Sequence, residues 1–216
     1  MKHDASLVDL NYMMDGMSLD EKRVFLQKFY SGAYYNNMYE PHNTLHSWQW
    51  VIERTGVPFT KALDVGCGTG EGIRWALDHG KDVYGIDFAD AREAWKQYNV
   101  EDRCQIAHAQ NIPYPDDTFD LVCCFDVLEH IPEEDIPLVL KEIRRVGNLA
   151  YILAICLVVE AHPVGNRVIS HITIKDIDWW IQKMHEAGFG AALFKDGTRA
   201  LQFDDHHIRA FLTKEY

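Results

Sequence analysis

One stretch constrains the fold more than any other: the short apolar run Lys61–Val65 ends in a glycine-rich turn, and an amphipathic segment follows directly. This pattern predicts a strand, a tight loop and a helix. Gly66, Gly68 and Gly70 have no side chains, so the backbone can turn sharply and a ligand can lie against bare peptide at the helix N-terminus. The stretch therefore predicts a cradle for a nucleotide-like ligand.

The charge around this turn limits which ligand it can hold. A dinucleotide fingerprint needs Gly-x-Gly-x-x-Gly, but Glu71 or Ile73 stands where the third glycine should be. The Glu71 carboxylate would repel a diphosphate at the helix N-terminus, whereas it would not repel a cationic ligand. Asp87 ends the next apolar run, 17 residues after Gly70, where it can accept hydrogen bonds from both hydroxyls of a ribose. We therefore expect a ribose and no diphosphate.

Four segments in order resemble the motifs of the class I S-adenosylmethionine-dependent methyltransferases. They are the glycine turn with its strand, the run ending at Asp87, an acidic loop with the strand after it, and a short motif beyond that strand: Leu63–Gly70, Gly85–Asp87, Ile112–Val122 and Val127–Ile131. The resemblance implies an α/β fold, a Rossmann-like doubly wound seven-stranded sheet with the last strand antiparallel, helices on both faces and an N-terminal helical lid. It also implies S-adenosyl-L-methionine as the cofactor, with S-adenosyl-L-homocysteine as the product, and says much less about the acceptor.

The length of 216 residues suits one α/β domain with a small appendage. We expect an N-terminal helical cap over residues 1–55 and one compact cofactor-binding unit over residues 56–216. Ser18 and Glu21 form a capping-box pattern, which predicts a helix over residues 18–31. The other predicted elements are helices over residues 71–79, 90–99 and 173–187, and strands over residues 104–109, 119–125, 149–159, 190–195 and 207–214.

Charge and cysteine content narrow the partners. Lys and Arg number 21 and Asp and Glu 33, so the formal charge of −12 disfavours nucleic acid and an anionic membrane surface. The five cysteines fall in or beside predicted strands, which indicates reduced core thiols in a cytoplasmic protein. No Cys-x-x-Cys pair is present, so no metal is expected. The N-terminal residues lack the apolar core expected of a signal peptide, and no apolar run approaches the ~18 residues of a membrane span. The expected partner is a small-molecule acceptor, and the oligomeric state stays open.

The resemblance assigns roles to the residues of the glycine turn and the strands beside it. Asp64 matches the acid that holds the methionine ammonium directly or through water, and the backbone carbonyl of Phe125 would join it. The turn itself would let the backbone approach the adenosine and methionine portions of the cofactor through Gly66, Cys67, Gly68 and Gly70. An alternative for Asp64 is an acid that only stabilises the turn.

A second group of residues is matched to the ribose and adenine. Asp87 would accept hydrogen bonds from both ribose hydroxyls, and Phe88 would pack against the adenine ring. Related sequences place an acid and a small residue next to the adenine amino group, whereas this chain has His108, Ala109 and Gln110. The departure weakens the usual carboxylate contact, so the Ala109 amide, His108 or Gln110 would have to replace it.

Methyl transfer requires a nucleophile aligned with the methyl group and, when the acceptor is a hydroxyl, a base that removes its proton. Methyl transfer from a sulfonium is an in-line displacement in which the cofactor supplies the leaving group. His130, with Asp126 nearby, follows the fourth strand on the ligand edge and is the first candidate base. The alternative is that His130 only supports the next helix. His162 and His171, after the fifth strand, are further catalytic candidates.

Candidate substrate contacts come from the aromatic segment after the first helix and from the loop after the fifth strand. They are Tyr34, Tyr35, Tyr39, His42 and Arg167. The alternative for the aromatic side chains is ordinary packing at the edge of the sheet.

Three functional readings remain open. The first is methyl transfer to a small polar acceptor, with a hydroxyl oxygen, for example of a sugar or secondary metabolite, favoured by the several histidines near the crevice. The second is transfer to a nitrogen, or to a protein or glycan, and the third is a non-catalytic S-adenosylmethionine-binding subunit. Asn111–Tyr114 looks like the motif of enzymes that methylate amide or adenine nitrogens, but it precedes the fourth strand instead of following it.

Overall fold

The computed structural model describes residues 7–31, 47–55, 58–158, 161–162, 167–191, 201–203 and 207–214. Its main sheet has five adjacent parallel strands, and the central strand Phe119–Phe125 has the near-continuous apolar character that suits burial on both faces. From the edge inward these strands are β4 (Cys104–Ile106), β3 (Asp82–Asp87), β2 (Lys61–Val65), β5 (Phe119–Phe125) and β6 (Gly147–Cys156). The predicted alternation of strands and helices is the sequence signature of this arrangement.

The antiparallel end of the sheet is formed by three strands close to the end of the chain. The strand β11 (His207–Lys214) runs antiparallel to β6, and β9 (Phe189–Ala191) and β10 (Leu201–Phe203) both pair with the other edge of β11. Because β9 and β10 share one edge, the sheet has seven strand positions. The predicted seven-stranded sheet with an antiparallel end strand is confirmed, and its outermost position is divided between two short strands.

A second, three-stranded sheet was not predicted. The strand β1 (Leu7–Asp9) pairs in parallel with β8 (Arg167–Ile169), which pairs antiparallel with β7 (Ala161–His162). The region between β6 and the following helix was predicted to be a loop. Strands of two or three residues are too short for an alternating pattern to reveal them.

The described α-helices are α1 (Leu10–Met13), α2 (Leu19–Phe29), α3 (Glu71–Asp78), α4 (Arg92–Tyr98), α5 (Ile136–Val146) and α6 (Ile177–Glu186). A helical segment at 47–50 continues as a π-helical turn at Val51–Thr55, and 3₁₀ turns lie at Leu128–His130 and Glu133–Asp135. The helices α2, α3 and α4 begin and end within two residues of the predicted positions, whereas α1 was not predicted. The Ser18 amide donates to Glu21 Oε2 at 2.8 Å, as the capping box predicted. The α6 helix starts later than predicted, because Asp176 is its N-cap, whereas the Thr173 hydroxyl donates to the Ile131 carbonyl at 2.6 Å.

Neighbouring residues of the central strand point to opposite faces, and helices cover both. On one face, Val122 and Cys124 of β5 pack with Leu140 of α5 and Trp180 of α6. On the other face, Leu121 and Cys123 pack with α3 and α4, whose contributions include Ile73, Ala76 and Trp95. The helix α2 lies across the carboxyl edge of the sheet in a third apolar cluster, with Leu26 and Tyr30 against Ala89. This is the edge where a doubly wound sheet binds its ligand.

Among the residues described above, no helix combines the length and the apolar character that crossing a membrane requires.

Candidate functional site

The glycine turn after β2 is a sharp bend with no room for side chains. Gly66 and Gly70 have φ angles of +84° and +79°, a region that glycine adopts without steric cost. The amides of Gly66 and Cys67 both donate to the Ile86 carbonyl, at 2.8 and 3.0 Å, and so fasten the turn to the end of β3. A Cβ atom at Gly66 would lie 2.2 Å from Cγ2 of Val127. The turn therefore depends on glycine both for its dihedral angles and for its packing.

Two buried carboxylates flank the turn. Asp87 at the end of β3 accepts hydrogen bonds from the amides of Gly68 and Ala89, each at 2.9 Å. Asp64 on β2 is 2% exposed and accepts from the indole Nε1 of Trp48 at 2.9 Å. Two buried carboxylates beside the turn are acceptors that suit a cationic ligand with a ribose, and the Arg23 guanidinium, which lines a cavity beside the turn, is paired with Asp135, so the residues present fit S-adenosylmethionine.

The two carboxylates also influence each other. Burial raises the pKa of Asp64 to about 7; the Trp48 hydrogen bond opposes this rise, and the charge of Asp87 adds to it. At neutral pH the Asp64 carboxyl is therefore poised between its neutral and ionised forms. A positive charge placed beside it would favour the ionised form.

A cavity of about 60 Å³ lies between α2 and the carboxyl ends of β2 and β3. The glycine turn, the end of β3, the segment after β4 and the turn after β5 all contribute to its wall. Seven residues predicted for the site line it: Gly66, Asp87, Phe88, His108, Ala109, Gln110 and His130. The structure thus brings together residues from four separate segments of the sequence.

The helix α2 closes this cavity and is held at several points. Arg23 and Leu26 contribute to the cavity wall, and the Gln27 side chain donates to the Phe88 carbonyl at 2.8 Å. Arg23 also donates to both carboxylate oxygens of Asp135, and its Nε lies 2.9 Å from Oδ2. Burial tends to raise the pKa of Asp135, but the hydrogen bonds from Arg23 and Gln110 hold it below its usual value. An ionised Asp135 therefore keeps α2 in place at neutral pH.

The closed cavity is much smaller than the roughly 300–1,000 Å³ typical of ligand pockets. A ligand with an adenosine group would need more space than the 60 Å³ present between α2 and the sheet. Displacement of α2, which Arg23 and Gln27 anchor, is one way to enlarge this space. The glycine turn is held separately, by hydrogen bonds to the end of β3.

His130 connects the cavity with a second group of polar residues. Its Nδ1 lies 2.9 Å from the Tyr30 hydroxyl and 2.9 Å from the Ser170 carbonyl. A carbonyl can only accept, so the proton of a neutral His130 ring is assigned to Nδ1 and the lone pair to Nε2. His171, which is 4% exposed, lies with its ring centroid 4.7 Å from that of His130 and its Nδ1 2.8 Å from the Val158 carbonyl.

The other predicted residues either do not line this cavity or have side chains outside the described part of the chain. Asp126 is exposed and has a φ of +53°, a conformation that Asp adopts more readily than most residues. Cys67 is buried behind the turn, and the Phe125 ring packs against Trp48 with centroids 6.2 Å apart. His162 and Arg167 lie in β7 and β8, but their side chains are outside the described part of the chain. The same applies to all of Tyr34, Tyr35, Tyr39 and His42.

Several residues at the site were not singled out from the sequence. Trp48, Arg23, Gln27 and Asp135 looked like ordinary helix residues, and Tyr30 was read as part of an apolar stripe. Their partners are far away in sequence: 16 residues separate Trp48 from Asp64, and 112 separate Arg23 from Asp135. An aromatic residue ending the capped helix was the only local signal for Tyr30.

Comparison with known proteins points to one family. Residues 63–148 match the family model described as the methyltransferase domain. Over 91 residues the chain is 38% identical to the ubiquinone biosynthesis O-methyltransferase of Pseudomonas fluorescens strain Pf-5, and this alignment covers 39% of each protein. Over another alignment of 91 residues it is 35% identical to the sterol 4-C-methyltransferase of Caenorhabditis elegans. That alignment covers 39% of this chain and 27% of the sterol methyltransferase.

A solved structure extends the likeness to most of the fold. The 1,6-didemethyltoxoflavin-N1-methyltransferase of Burkholderia thailandensis, with bound 1,6-didemethyltoxoflavin and S-adenosylhomocysteine, has a TM-score of 0.62 at 13% identity and covers 92% of this chain and 91% of its own. The chain spans about two fifths or less of the curated relatives named above, 39% and 27%. The region that matches the family model, residues 63–148, contains the glycine turn, Asp87 and the turn that carries His130. Residues 63–148 therefore match a methyltransferase domain, in agreement with the resemblance of the glycine turn and its neighbouring motifs to the class I S-adenosylmethionine-dependent methyltransferases.

Proposed function

We propose that this chain is an S-adenosylmethionine-dependent methyltransferase that transfers the methyl group to a hydroxyl oxygen of a small polar acceptor. The observation that carries this proposal is the setting of His130, which lines the cofactor cavity and has Nδ1 held by the Ser170 carbonyl and the Tyr30 hydroxyl at 2.9 Å each. A hydroxyl acceptor needs a base, whereas the cofactor already supplies the leaving group.

The residues on the cofactor side of the site would bind and orient S-adenosylmethionine. When bound, S-adenosylmethionine supplies an electrophilic methyl group on a sulfonium. Asp87, already aligned by the amides of Gly68 and Ala89, would accept hydrogen bonds from the ribose hydroxyls. Asp64 would face the positive charge of the methionine portion, and its ionisation would follow ligand binding. Closure of α2 over the cavity would exclude water from the reacting groups.

The acceptor side would then remove one proton. With the ring proton on Nδ1, the Nε2 lone pair of His130 can take the hydroxyl proton as the oxygen attacks the methyl group. The Ser170 carbonyl orients the ring and stabilises the imidazolium that results, as an acceptor for Nδ1–H. Tyr30 belongs to the same arrangement and comes from the lid helix, which couples closure of α2 to the position of the base.

The names of the relatives do not select an acceptor. The two curated relatives are described as O- and C-methyltransferases, and the Burkholderia enzyme as an N-methyltransferase. The oxygen assignment therefore rests on His130 and its hydrogen bonds. A nitrogen acceptor, a protein or glycan acceptor, and a binding protein without turnover are the alternatives that an experiment must separate.

The cofactor claim can be tested by calorimetric titration with S-adenosylhomocysteine and a matched pair of variants. Asp87→Asn should weaken binding by roughly 10- to 100-fold, because hydrogen bonds to a charged group contribute about 1.5–3 kcal/mol. Asp120→Asn is the control: Asp120 also accepts two backbone amides, from Thr60 and Lys61 at 2.8 and 3.0 Å, but at the amino ends of the strands. Equal binding by both variants would contradict the proposed site.

The acceptor claim needs a transfer assay with methyl-labelled cofactor and a panel of small hydroxyl, amine, protein and glycan acceptors. An O-methyl product, identified by mass spectrometry, is the expected result. An N-methyl product would overturn the assignment of oxygen while leaving methyl transfer intact. Cofactor binding without transfer to any acceptor in the panel would favour the non-catalytic alternative.

A further inference from the structure

Behind His130, three side chains with metal-binding atoms meet inside the protein. The Glu129 carboxylate, the Cys156 thiol and a ring nitrogen of His171 lie within 4.8 Å of one another. They are 0%, 3% and 4% exposed. We infer that these three side chains form a binding site for a zinc ion.

The three residues come from three different elements that already contact each other. Glu129 lies in the 3₁₀ turn after β5, Cys156 ends β6, and His171 lies in the segment before α6. The Cys156 amide donates to Glu129 Oε1 at 2.9 Å, and the amides of Ile172 and Thr173 donate to the Glu129 carbonyl at 2.8 and 2.9 Å. The backbone therefore holds the ligands together without help from an ion.

A carbonyl oxygen further orients two of the ligands. The Val158 carbonyl lies 2.8 Å from His171 Nδ1 and 3.7 Å from the Cys156 sulfur. At zinc sites, a histidine ligand is usually fixed by a hydrogen bond from its ring to a backbone carbonyl or a carboxylate. Such a contact lowers the cost of ordering the ring when an ion binds.

The chemistry of the set selects the ion. One thiolate, one imidazole and one carboxylate match the preference of zinc for sulfur, nitrogen and oxygen ligands, whereas magnesium prefers oxygen ligands and keeps its waters. A divalent cation would also offset the cost of burying the Glu129 charge. Binding would release the proton of the Cys156 thiol. The ion would link three elements directly behind His130 and so stiffen the proposed acceptor side of the cleft.

No metal site was predicted from the sequence, because the chain has no Cys-x-x-Cys pair. The ligands proposed here are separated by 27 residues from Glu129 to Cys156 and 15 from Cys156 to His171. Only the fold brings them together.

Titration of the metal-depleted 216-residue chain with Zn²⁺ alone, and separately with Mg²⁺ alone, tests this site. No cofactor or acceptor is added, so the result is independent of methyl transfer. The expected result is one equivalent of zinc bound, a melting temperature that rises with zinc concentration and no comparable effect of magnesium. Titration with Co²⁺ should produce a sulfur-to-metal charge-transfer band.

Variants separate this site from surface histidines. Cys156→Ser should weaken zinc binding by about tenfold or more and abolish the cobalt charge-transfer band. The matched control is Cys123→Ser, because Cys123 is also buried but lies within β5 and is not one of the three clustered ligand residues. Circular dichroism of each metal-depleted variant would verify folding. Zinc binding that is unchanged by Cys156→Ser, absent in the wild type, or matched by magnesium would overturn the inference.

Discussion

The two halves of the cleft are built in different ways. The proposed cofactor half consists of the glycine turn, Asp64 and Asp87, which lie on adjacent strands and within one segment of the chain. The proposed acceptor half consists of Tyr30, His130 and the segment around Ser170, whose hydrogen-bonding partners are separated by 100 and 40 residues. The first half is a product of local backbone geometry, whereas the second exists only when distant elements pack.

Because of this difference, the two halves should be sensitive to different kinds of substitution. The glycine turn is held by hydrogen bonds to β3 and has no space for an added methyl group, so it should respond sharply to steric change. The acceptor half is held by side-chain hydrogen bonds and by the lid helix, so it should respond to the loss of single polar groups. Substitutions in the two halves should therefore separate binding from turnover.

The largest effect is expected from removal of the base. His130→Asn places an amide nitrogen near the position of Nδ1, where it can still donate to the Ser170 carbonyl, but it has no equivalent of Nε2. We expect kcat to fall by roughly 10²–10⁴-fold, the usual contribution of general base catalysis. Affinity for S-adenosylhomocysteine should change little.

His79→Gln is the control for that substitution, because His79 is exposed and stacks on Trp75 away from the cavity. Steady-state kinetics with an acceptor identified by the labelled-methyl assay would measure both variants. A His130→Asn enzyme with unchanged kcat would show that the histidine only supports the fold.

Gly66→Ala should break the cofactor half. The new Cβ would lie 2.2 Å from Val127 Cγ2 in a backbone with φ of +84°. Left-handed strain and overpacking together should lower the free energy of unfolding by about 2–5 kcal/mol, and affinity for S-adenosylhomocysteine should fall as well. Chemical denaturation and calorimetry would measure the two effects.

Gly80→Ala isolates the contribution of strain, because Gly80 has a φ of +72° with nothing within 4 Å of an added Cβ. Its unfolding free energy should fall by only about 1–2 kcal/mol. Similar losses in the two variants would mean that the Val127 contact relaxes without cost and that the turn tolerates a methyl group.

The buried Asp64 predicts a pH dependence that belongs to the cofactor half. Its folded pKa of about 7 lies above its ordinary value of 3.8, so the folded protein binds more protons than the unfolded chain between these values. The contribution of Asp64 to stability therefore falls as pH rises through this window and stays low above it. Asp64→Asn can keep the Trp48 hydrogen bond but cannot ionise.

Unfolding of the ligand-free protein at pH 5 and pH 8 would test this dependence. From the lower to the higher pH, the wild type should lose on the order of 2 kcal/mol relative to Asp64→Asn, which is the linkage expected from such a shift. The same difference at both pH values would mean that Asp64 is ionised throughout. Comparison of the two proteins cancels the titration of the groups that do not interact with Asp64.

The smallest effect is expected for Tyr30→Phe. The substitution removes the hydroxyl near His130 but keeps the ring, whose centroid lies 5.4 Å from that of Phe88. Loss of one hydrogen bond corresponds to about 0.5–1.5 kcal/mol, so kcat should fall roughly 2- to 12-fold. Tyr12→Phe, at a residue 74% exposed, is the control. A fall as large as that of His130→Asn would instead place Tyr30 among the reacting groups.

The sequence alone predicted the parts of this protein that depend on short-range geometry. Three glycines in five residues require a sharp turn whatever surrounds them, and an acid at the end of the next strand must lie beside that turn because parallel strands end at the same edge. The capping box of α2 was predicted for the same reason, since it leaves a pattern within a few residues, whereas the antiparallel end of the sheet was implied by the resemblance to the methyltransferases.

Only the tertiary structure decided which distant side chains share a site. Trp48 reaches Asp64, Arg23 reaches Asp135 across 112 residues, and Glu129, Cys156 and His171 meet behind His130. No period or spacing encodes such contacts, because they depend on how α2 and the segments after β5 and β6 pack at one edge of the sheet. The physical reason is that turns, caps and helices are set by hydrogen bonds between residues close in sequence, whereas burial joins surfaces that fit at any separation along the chain.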